Sequence, residues 1–389
     1  MIGEALKSYT QLYTHMESLI TPEASFTAFQ RLADTYAPTL SARYTRGEVV
    51  RSILEESKSE GALGDNVDLD LNYRKTGNVC ITLGEQSRKP IWAFAHLDNI
   101  SYLTGPIENG VYPLTAFHEP RINPGERDGL ALLYDEKSQT LVSAAKGMIV
   151  TGEDSNNSVF KTDATDLPPA TRVVFQTAAE WDKGTGMLYG SVDDAFGCAA
   201  LVMSAIVLSA FDVDALIVLT DEEEGVVGVG NTAFARGSQR LISRTDPNQL
   251  PAIMSVTDLH ERKPTIDDNG DVVAVPGCGD GALFAGFASG ARGGVTPPHV
   301  LSAMREVSGL LNEKGISMRE NESYVSRSDC VSAMMATQNV VLMGFPGAYS
   351  HFLKTPRAHI DDLVALSKSL TVLIAAAQSS DWRKHYLID

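Results

Sequence analysis

The stretch LIVLTDEEEG (216–225) decides the fold, because an apolar run leads directly into four neighbouring acids. A short apolar run that ends at polar residues predicts a buried β-strand. Carboxylates that lie side by side repel one another, and each close pair costs about 1 kcal/mol or more where water is excluded. The acids at the end of this strand therefore need a partner, which can be water, Lys or Arg side chains, or a metal ion.

Strands and helices alternate on both sides of this stretch. The pattern predicts helices over 196–211 and 299–311, and a final helix whose leucines recur at helical spacing. The predicted strands are ALIVLT (215–220), AIMSVT (252–257), DVVAVP (271–276) and NVVLMG (339–344). This alternation predicts an α/β fold, in which a mainly parallel sheet carries helices on both faces.

The part of the chain before this alternation has a different pattern. Residues 1–70 have the periodicity of amphipathic helices, and NVCITLG (78–84) followed by PIWAFA (90–95) predicts a β-hairpin. Over 105–186, proline and glycine turns separate short strand-like runs, which predicts a small inserted β domain. We therefore expect a discontinuous main domain, 1–104 and 187–389, interrupted by an inserted β domain over 105–186.

The composition argues against several classes of protein. The 389 residues include 32 basic and 49 acidic ones, and the net charge of −17 argues against nucleic acid or an anionic membrane as partner. The four cysteines are far apart and show no metal-binding spacing, and no apolar run approaches the roughly 18 residues of a membrane span. The N-terminus has no signal-peptide pattern. We expect a cytoplasmic protein with reduced thiols.

Polar side chains that can bind metals follow most of the predicted strands. Ligands bind beyond the carboxyl ends of the strands in such sheets, so these side chains are expected to share one edge. One His or Asp at a strand end is usually structural, whereas a whole set is a candidate site. The set comprises His96 and Asp98 after PIWAFA, Asp193 and Asp194 before a helix, Asp221, Glu222, Glu223 and Glu224 after ALIVLT, Asp258 after AIMSVT, and His351 after NVVLMG.

Two histidines and several carboxylates suit a pair of divalent ions, zinc first, with cobalt or manganese as alternatives. Two such ions lie about 3.5–4 Å apart and need a bridging carboxylate, terminal ligands and an open position for water.

Asp98 lies two residues after His96 on the same side of a strand, so it can accept the second imidazole N–H. One of Asp193 and Asp194 can instead be a helix N-cap, and His260 is an alternative ligand or substrate contact.

Together, HLD (96–98), DDAFG (193–197), EEEG (222–225), an Asp after a strand and a late His resemble the motifs of the co-catalytic dizinc exopeptidases. The layout is most similar to the tetrahedral (TET) aminopeptidase family, which includes glutamyl and deblocking aminopeptidases. That family also places its β domain between the first His and the bridging Asp. The resemblance implies a zinc-exopeptidase-like fold, a catalytic main domain, and a homo-oligomer in which the insert helps to control access or assembly.

The resemblance also implies a role for each residue. Asp193 is similar to the bridging carboxylate, His96 and Asp258 would complete one metal site, and Glu223 and His351 the other. The first acid of the family's E-E-x-G pattern is the general base, which gives Glu222, while a register that takes Glu223 and Glu224 as the pair stays open. The implied reaction removes N-terminal residues from peptides, by means of a water bound to two divalent ions.

Two other functions are compatible with the sequence. The same metal chemistry serves amide hydrolases of the deacylase, carboxypeptidase or dipeptidase type, which need a cationic group for the substrate carboxylate. A non-catalytic oligomeric scaffold is the third possibility, and bound metal with chelator-sensitive activity would exclude it.

Overall fold

The computed structural model describes residues 1–118, 124–153, 157–225, 234–323 and 325–387, so the predicted insert lies partly outside the described residues. The helices are α1 (Ile2–Ala5), α2 (Leu12–Leu19), α3 (Pro22–Ala33), α4 (Arg46–Ser59), α5 (Val192–Leu208), α6 (Arg236–Ser243), α7 (Pro298–Glu313), α8 (Cys330–Ala336), α9 (Ile360–Ala376) and α10 (Ser380–Tyr386). The strands are β1 (Val67–Asp70), β2 (Val79–Leu83), β3 (Ile91–His96), β4 (Tyr102–Thr104), β5 (Tyr112–Ala116), β6 (Gly125–Asp135), β7 (Thr140–Thr151), β8 (Ser158–Lys161), β9 (Arg172–Phe175), β10 (Glu180–Trp181), β11 (Met187–Tyr189), β12 (Ala215–Thr220), β13 (Ile253–Glu261), β14 (Thr265–Ile266), β15 (Val272–Ala274), β16 (Ala282–Ala285), β17 (Met318–Glu320), β18 (Val340–Gly347) and β19 (Arg357–His359).

A central sheet of eight strands has the order β1-β2-β12-β3-β13-β18-β16-β17. Its four middle strands, β12, β3, β13 and β18, pair in parallel. Antiparallel pairs join β1, β2 and β12 on one side, and β18 and β16 on the other. The predicted α/β fold with a mainly parallel sheet is therefore confirmed.

The apolar middle strands are buried on both faces. In β3, Ile91, Ala93 and Ala95 pack into one hydrophobic core, while Trp92 and Phe94 pack into another. The residues of β12 alternate between the same two cores. Successive side chains of a strand point to opposite faces, so a continuous apolar run is what a sheet covered on both sides requires.

Helices cover the two faces of the sheet. The long helices α5 and α9 lie in the larger core and touch where Ser204 Oγ donates to the main-chain carbonyl of Ser367 at 2.9 Å. The Phe196 ring of α5 stacks on the Phe345 ring of β18, with ring centroids 4.0 Å apart. This contact holds the start of α5 against the sheet edge that carries the candidate site.

Two sequence predictions about strands are wrong. The runs NVCITLG and PIWAFA do not form a hairpin, because β12 lies between β2 and β3 and pairs with both. The run DVVAVP does not join the central sheet. It supplies β15, which pairs only with β14 in a separate two-stranded sheet, and Val273 is 61% exposed there.

Between β3 and β12 in the chain, the strands β4, β5, β8, β7, β6 and β9 close a barrel. Its own core includes Tyr102, Tyr112, Ile149, Phe160 and Val173. The partly buried Phe352, which follows β18, packs against this core. The barrel therefore touches the segment that carries His351. Within the described ranges, every helix is too short or too polar to cross a membrane.

Candidate metal centre

The predicted metal-binding side chains lie at the carboxyl edge of the parallel strands. His96 is the last residue of β3 and lies opposite Thr220, the last residue of β12, so the acids 221–224 begin beside the histidine. Asp258 lies within β13, opposite Gly344 of β18. His351 follows the end of β18. Parallel strands thus bring residues from distant parts of the sequence to one place.

A buried cluster forms around His96. Its Nε2 lies 3.0 Å from Asp193 Oδ1, and ligand atoms of His96, Asp193 and Glu224 all lie within 4.8 Å of one another. Two further carboxylates, those of Glu223 and Asp258, each lie 4.0 Å from His96 Nε2. His351 Nε2 lies 3.4 Å from Glu224 Oε2. Of the predicted ligands, the structure therefore brings His96, Asp193, Glu223, Asp258 and His351 together, and adds Glu224.

Glu222 is directed away from this cluster. Its main chain has φ of +66°, a left-handed conformation in the bend that follows β12. Its carboxylate accepts a hydrogen bond from Arg240 Nη2 of α6 and forms an ion pair there. The preceding Asp221 accepts main-chain N–H groups of Leu40 and Ala42, at 2.8 and 3.1 Å. Two of the four acids thus hold the loop, while the other two face the cluster.

The Asp98 carboxylate fixes the main chain of the two remaining acids. Asp98 Oδ1 accepts the N–H of Glu223 and Oδ2 that of Glu224, each at 3.1 Å, and Thr39 Oγ1 donates to Oδ2 at 2.6 Å. His96 Nδ1 lies closer to the main-chain carbonyl of Asp98, at 3.0 Å, than to its carboxylate, at 3.7 Å. The contact of Asp98 with the imidazole is therefore chiefly through the carbonyl oxygen, in contrast to the expected carboxylate contact.

Asp193 and Asp194 have different surroundings at the start of α5. Asp194 Oδ1 accepts the N–H of Gly197 at 3.0 Å, which is the capping contact expected of one of the two. A Cβ atom at Gly197 would lie 2.5 Å from both carboxylate oxygens of Asp194, so only glycine fits there. Asp194 also accepts the main-chain N–H of His96 at 3.4 Å. This leaves Asp193 as the acid of the pair that approaches the imidazole ring.

The electrostatics of the cluster reflect an excess of buried negative charge. Burial, followed by the neighbouring Asp193, raises the pKa of Glu224 well above its usual value and that of Asp258 to about 7. Burial lowers the pKa of His96, but Glu223 and Asp193 outweigh it, so that its pKa is well above the usual value. Crowded carboxylates bind either protons or cations. The donor set and its charge therefore fit divalent metal ions.

Two further histidines, His118 and His260, are buried. His118 lies beside His351, with ring centroids 5.9 Å apart, and its Nδ1 lies 2.8 Å from the carbonyl oxygen of Ser101. Burial, and then His351, lower the pKa of His118 to about 3, so the ring is neutral. His260, the alternative ligand, is buried with its Nδ1 3.0 Å from Asn321 Nδ2. No sequence pattern indicated His118, because its neighbour is distant along the chain.

Asp329 connects the end of β12 to the helices on one face of the sheet. This buried carboxylate accepts hydrogen bonds from Thr220 Oγ1 at 2.6 Å and from Ser238 Oγ at 2.5 Å. Thr220 precedes the acid run, and Ser238 lies in α6. These hydrogen bonds hold Thr220, the residue directly before the acid run 221–224.

Several solved structures have the same architecture. An aminopeptidase from the archaeon Desulfurococcus kamchatkensis is 15% identical, with a TM-score of 0.70 over 94% of this chain and 98% of that chain. A TET aminopeptidase from a marine sediment archaeon of the Thaumarchaeota is 13% identical, with a TM-score of 0.70 over 93% and 99%. The TET1 peptidase of Pyrococcus horikoshii, described as able to assemble into a tetrahedron or a large octahedral shell, is 18% identical, with a TM-score of 0.66 over 90% and 98%.

No protein-family model and no curated protein sequence matches the chain. The likeness to the solved structures, at these low identities, is therefore one of fold. It extends over almost the whole length of each neighbour, including the neighbours that are TET peptidases. By its architecture, this chain has the fold of the TET aminopeptidases.

Proposed function

We propose that the protein is a metal-dependent aminopeptidase that hydrolyses N-terminal residues from peptides at a site for two divalent ions. The observation that carries the proposal is the convergence of His96, Asp193 and Glu224, whose ligand atoms lie within 4.8 Å of one another. Histidine and carboxylate ligands at such separations are typical of zinc and similar ions. The TET aminopeptidase fold agrees with this chemistry.

Asp193 is the candidate for the bridging ligand of the two ions. It lies 3.0 Å from His96, and its ligand atom also lies within 4.8 Å of that of Glu224. His96 and Asp258, whose Nε2 and Oδ1 lie 4.0 Å apart, would hold one ion, and Glu224 and His351, whose Oε2 and Nε2 lie 3.4 Å apart, would hold the other. This assignment keeps four of the five ligands expected from the sequence and replaces the fifth, Glu223, by Glu224.

The same geometry supports one of the two registers of the acid run. Glu222 forms an ion pair with Arg240, whereas Glu223 lies 4.0 Å from His96 and next to the ligand Glu224. In this proposal Glu223 and Glu224 are the pair of base and ligand, which is the register left open by the sequence. Glu222 then stabilises the loop through its ion pair with Arg240.

When bound, the two ions supply Lewis acidity that activates a water molecule and polarises the scissile carbonyl. Glu223 is the general base that accepts the proton of the water and returns it to the leaving amine. In the metal-free protein, burial raises the pKa of Glu223 well above its usual value, with His96 opposing the rise and Asp258 adding to it. Asp98 is a positioning residue, because it holds the N–H groups of Glu223 and Glu224.

The catalytic domain in this proposal comprises 1–104 and 187–389, and the insert over 105–186 supplies five of the six barrel strands, β5 to β9, while β4 (Tyr102–Thr104) comes from the end of the first segment. Phe352, which follows His351, packs against the barrel core, so the insert lies next to the site whose access it helps to control. We also propose a homo-oligomer, because the TET1 peptidase with the same fold is described as assembling into closed shells.

Elemental analysis combined with a substrate panel tests the function. We expect about two zinc ions per chain after reconstitution, hydrolysis of aminoacyl-anilides, and loss of that activity on chelation. Activity on N-acyl amino acids in place of aminoacyl-anilides would assign an amide hydrolase of the deacylase or carboxypeptidase type. A protein without bound metal or chelator-sensitive activity would contradict the proposal.

A further inference from the structure

The segment that carries His351 is fixed by a carboxylate on a neighbouring strand. Glu261 is the last residue of β13 and lies opposite Gly347, the last residue of β18. Its Oε1 accepts the N–H of Tyr349 at 2.7 Å, and its Oε2 accepts from Ser350 twice, from Oγ at 2.6 Å and from N–H at 3.3 Å. Three hydrogen bonds thus hold the two residues that precede His351.

The conformation of this segment requires such support. Tyr349 and Phe352 have φ of +66° and +56°, in the left-handed region that side chains other than glycine rarely adopt. Residues persist in this region when surrounding contacts determine their conformation. The main chain on both sides of His351 is therefore held by its contacts, and Glu261 supplies those on the side of the central sheet.

The barrel supplies the contacts on the opposite side. The Phe352 ring stacks on Phe175 of β9, with centroids 5.0 Å apart and an angle of 18° between the planes. Arg127 Nη2 of β6 donates to the main-chain carbonyl of Leu353 at 3.3 Å. These contacts follow His351 in the chain. Before it, Ala348 pairs with Arg357 of β19, and the Glu261 carboxylate accepts the next two main-chain N–H groups, those of Tyr349 and Ser350.

We propose that Glu261 is a positioning residue that orients His351 and thereby sets the affinity for the ion held by Glu224 and His351; this inference rests on the proposed two-ion site. The same strand, β13, also carries Asp258, which serves the other ion. One strand therefore contributes to both half-sites, directly through Asp258 and indirectly through Glu261. Groups that orient a ligand typically change metal affinity about 10- to 100-fold.

Zinc titration of the metal-free protein by calorimetry tests this role. In E261A we expect one of the two zinc affinities to fall about 10- to 100-fold, while the other stays within about threefold of the wild-type value. The affinity that falls must be the one that is lost in H351A. S350A removes only one of the three hydrogen bonds, so its effect should be smaller. E320Q is the matched control, because the Glu320 carboxylate pairs with Arg305 and lies on the edge strand β17, which β16 separates from β18.

A purely structural role of Glu261 predicts a different result. It would lower the unfolding temperature of the metal-free protein and weaken both zinc affinities together, which would overturn the proposal. Two unchanged affinities in E261A would overturn it as well. If E261A does not fold, E261Q provides the same test, since its amide keeps the volume but has only one acceptor oxygen. Wild-type protein that binds no zinc would instead contradict the proposed function itself.

Discussion

At the scale of single residues, the acid run owes its arrangement to Asp98. The N–H groups of Glu223 and Glu224 both donate to the Asp98 carboxylate, which directs the two side chains into the cluster. Glu222 instead reaches Arg240 on α6. Three adjacent residues of identical chemistry therefore have separate roles. The sequence predicts that an acid of this run acts at the site. Which acid faces the cluster depends on the ion pair of Glu222 with Arg240 and on the left-handed main chain at Glu222, and neither feature can be predicted from the run itself.

Replacing Glu223 by Gln should remove the general base and keep the metal. We expect kcat to fall by about 10²–10⁴-fold, the range that a general acid–base group contributes. Zinc content should stay at the wild-type level, because Glu224 and the other ligands remain. Steady-state kinetics and elemental analysis of the same samples check both points.

The matched control for that variant is Glu222→Gln, which changes a neighbouring acid outside the cluster. Its amide oxygen can still accept from Arg240, so we expect kcat within a few-fold of the wild-type value. An inactive Glu222→Gln protein with full zinc content, beside a Glu223→Gln protein that has lost zinc, would instead establish the register in which Glu222 is the base and Glu223 a ligand.

The crowded carboxylates predict how the stability of the metal-free protein depends on pH. Burial and Asp193 raise the pKa of Asp258 from 3.8 to about 7, so the folded state binds more protons than the unfolded state between these values. The free energy of unfolding of the metal-free protein should therefore fall as the pH rises through this window. Zinc replaces the protons, so its stabilising effect should be larger at pH 8 than at pH 5.

Thermal unfolding with and without zinc at the two pH values measures this effect. If the unfolding temperature of the metal-free protein instead rises from pH 5 to pH 8, the buried carboxylates do not determine the pH dependence of its stability. That result would contradict the predicted fall in stability with rising pH.

At the scale of elements, the start of α5 positions Asp193 because Asp194 caps the helix. The cap depends on Gly197, where a side chain would collide with the Asp194 carboxylate. The motif DDAFG thus has a structural explanation in addition to its likeness to a family motif. Its two acids differ because one accepts the Gly197 N–H, while the other approaches His96.

Gly197→Ala should therefore damage both stability and metal binding. The added methyl group has no room, and overpacking of this kind costs about 1–3 kcal/mol. Gly309→Ala is the control, because Gly309 lies in α7 with nothing within 4 Å of an added Cβ. Alanine in a helix interior is favourable by about 0.5–1 kcal/mol relative to glycine, so this variant should be neutral or more stable.

Chemical denaturation and zinc titration of both variants measure the difference. Equal stability and equal zinc affinity in the two variants would contradict the proposed role of Gly197.

The strands that could be predicted from the sequence are those that are buried on both faces. The runs that form β3, β12, β13 and β18 are apolar because helices cover both sides of the sheet, and their positions follow from composition alone. Strand pairing was harder to predict. β2 pairs with β12, from which it is separated by the whole barrel, so the local hairpin signal before β3 was misleading. The exposed β15 shows that an apolar run without burial does not define a core strand.

At the scale of the whole molecule, parallel pairing unites ligands that the sequence separates. The register that places Thr220 beside His96 also places the acid run beside the histidine, and the β13–β18 pair places Asp258 near the segment of His351. This convergence could be predicted from the rule that ligands bind at strand ends. The contacts of His118 and Phe352 could not be predicted from the sequence, because they depend on how the barrel packs against the central sheet.

The proposed homo-oligomer can be tested on the intact protein. The single chain has a mass of 41.9 kDa, so light scattering coupled to size exclusion should give a multiple of this value. We expect a closed assembly of several chains, since the TET1 peptidase of the same fold is described as forming a tetrahedron or an octahedral shell. A mass of one chain at micromolar concentration would contradict this expectation and leave the metal chemistry unaffected.

The most direct test of the central claim is anomalous diffraction at the zinc edge from crystals of the zinc-reconstituted protein. We predict two peaks about 3.5–4 Å apart, the usual separation in two-metal sites. One peak should lie between His96 and Asp258, the other between Glu224 and His351, with Asp193 bridging them. Absence of these peaks, or zinc bound elsewhere with the cluster empty, would contradict the account.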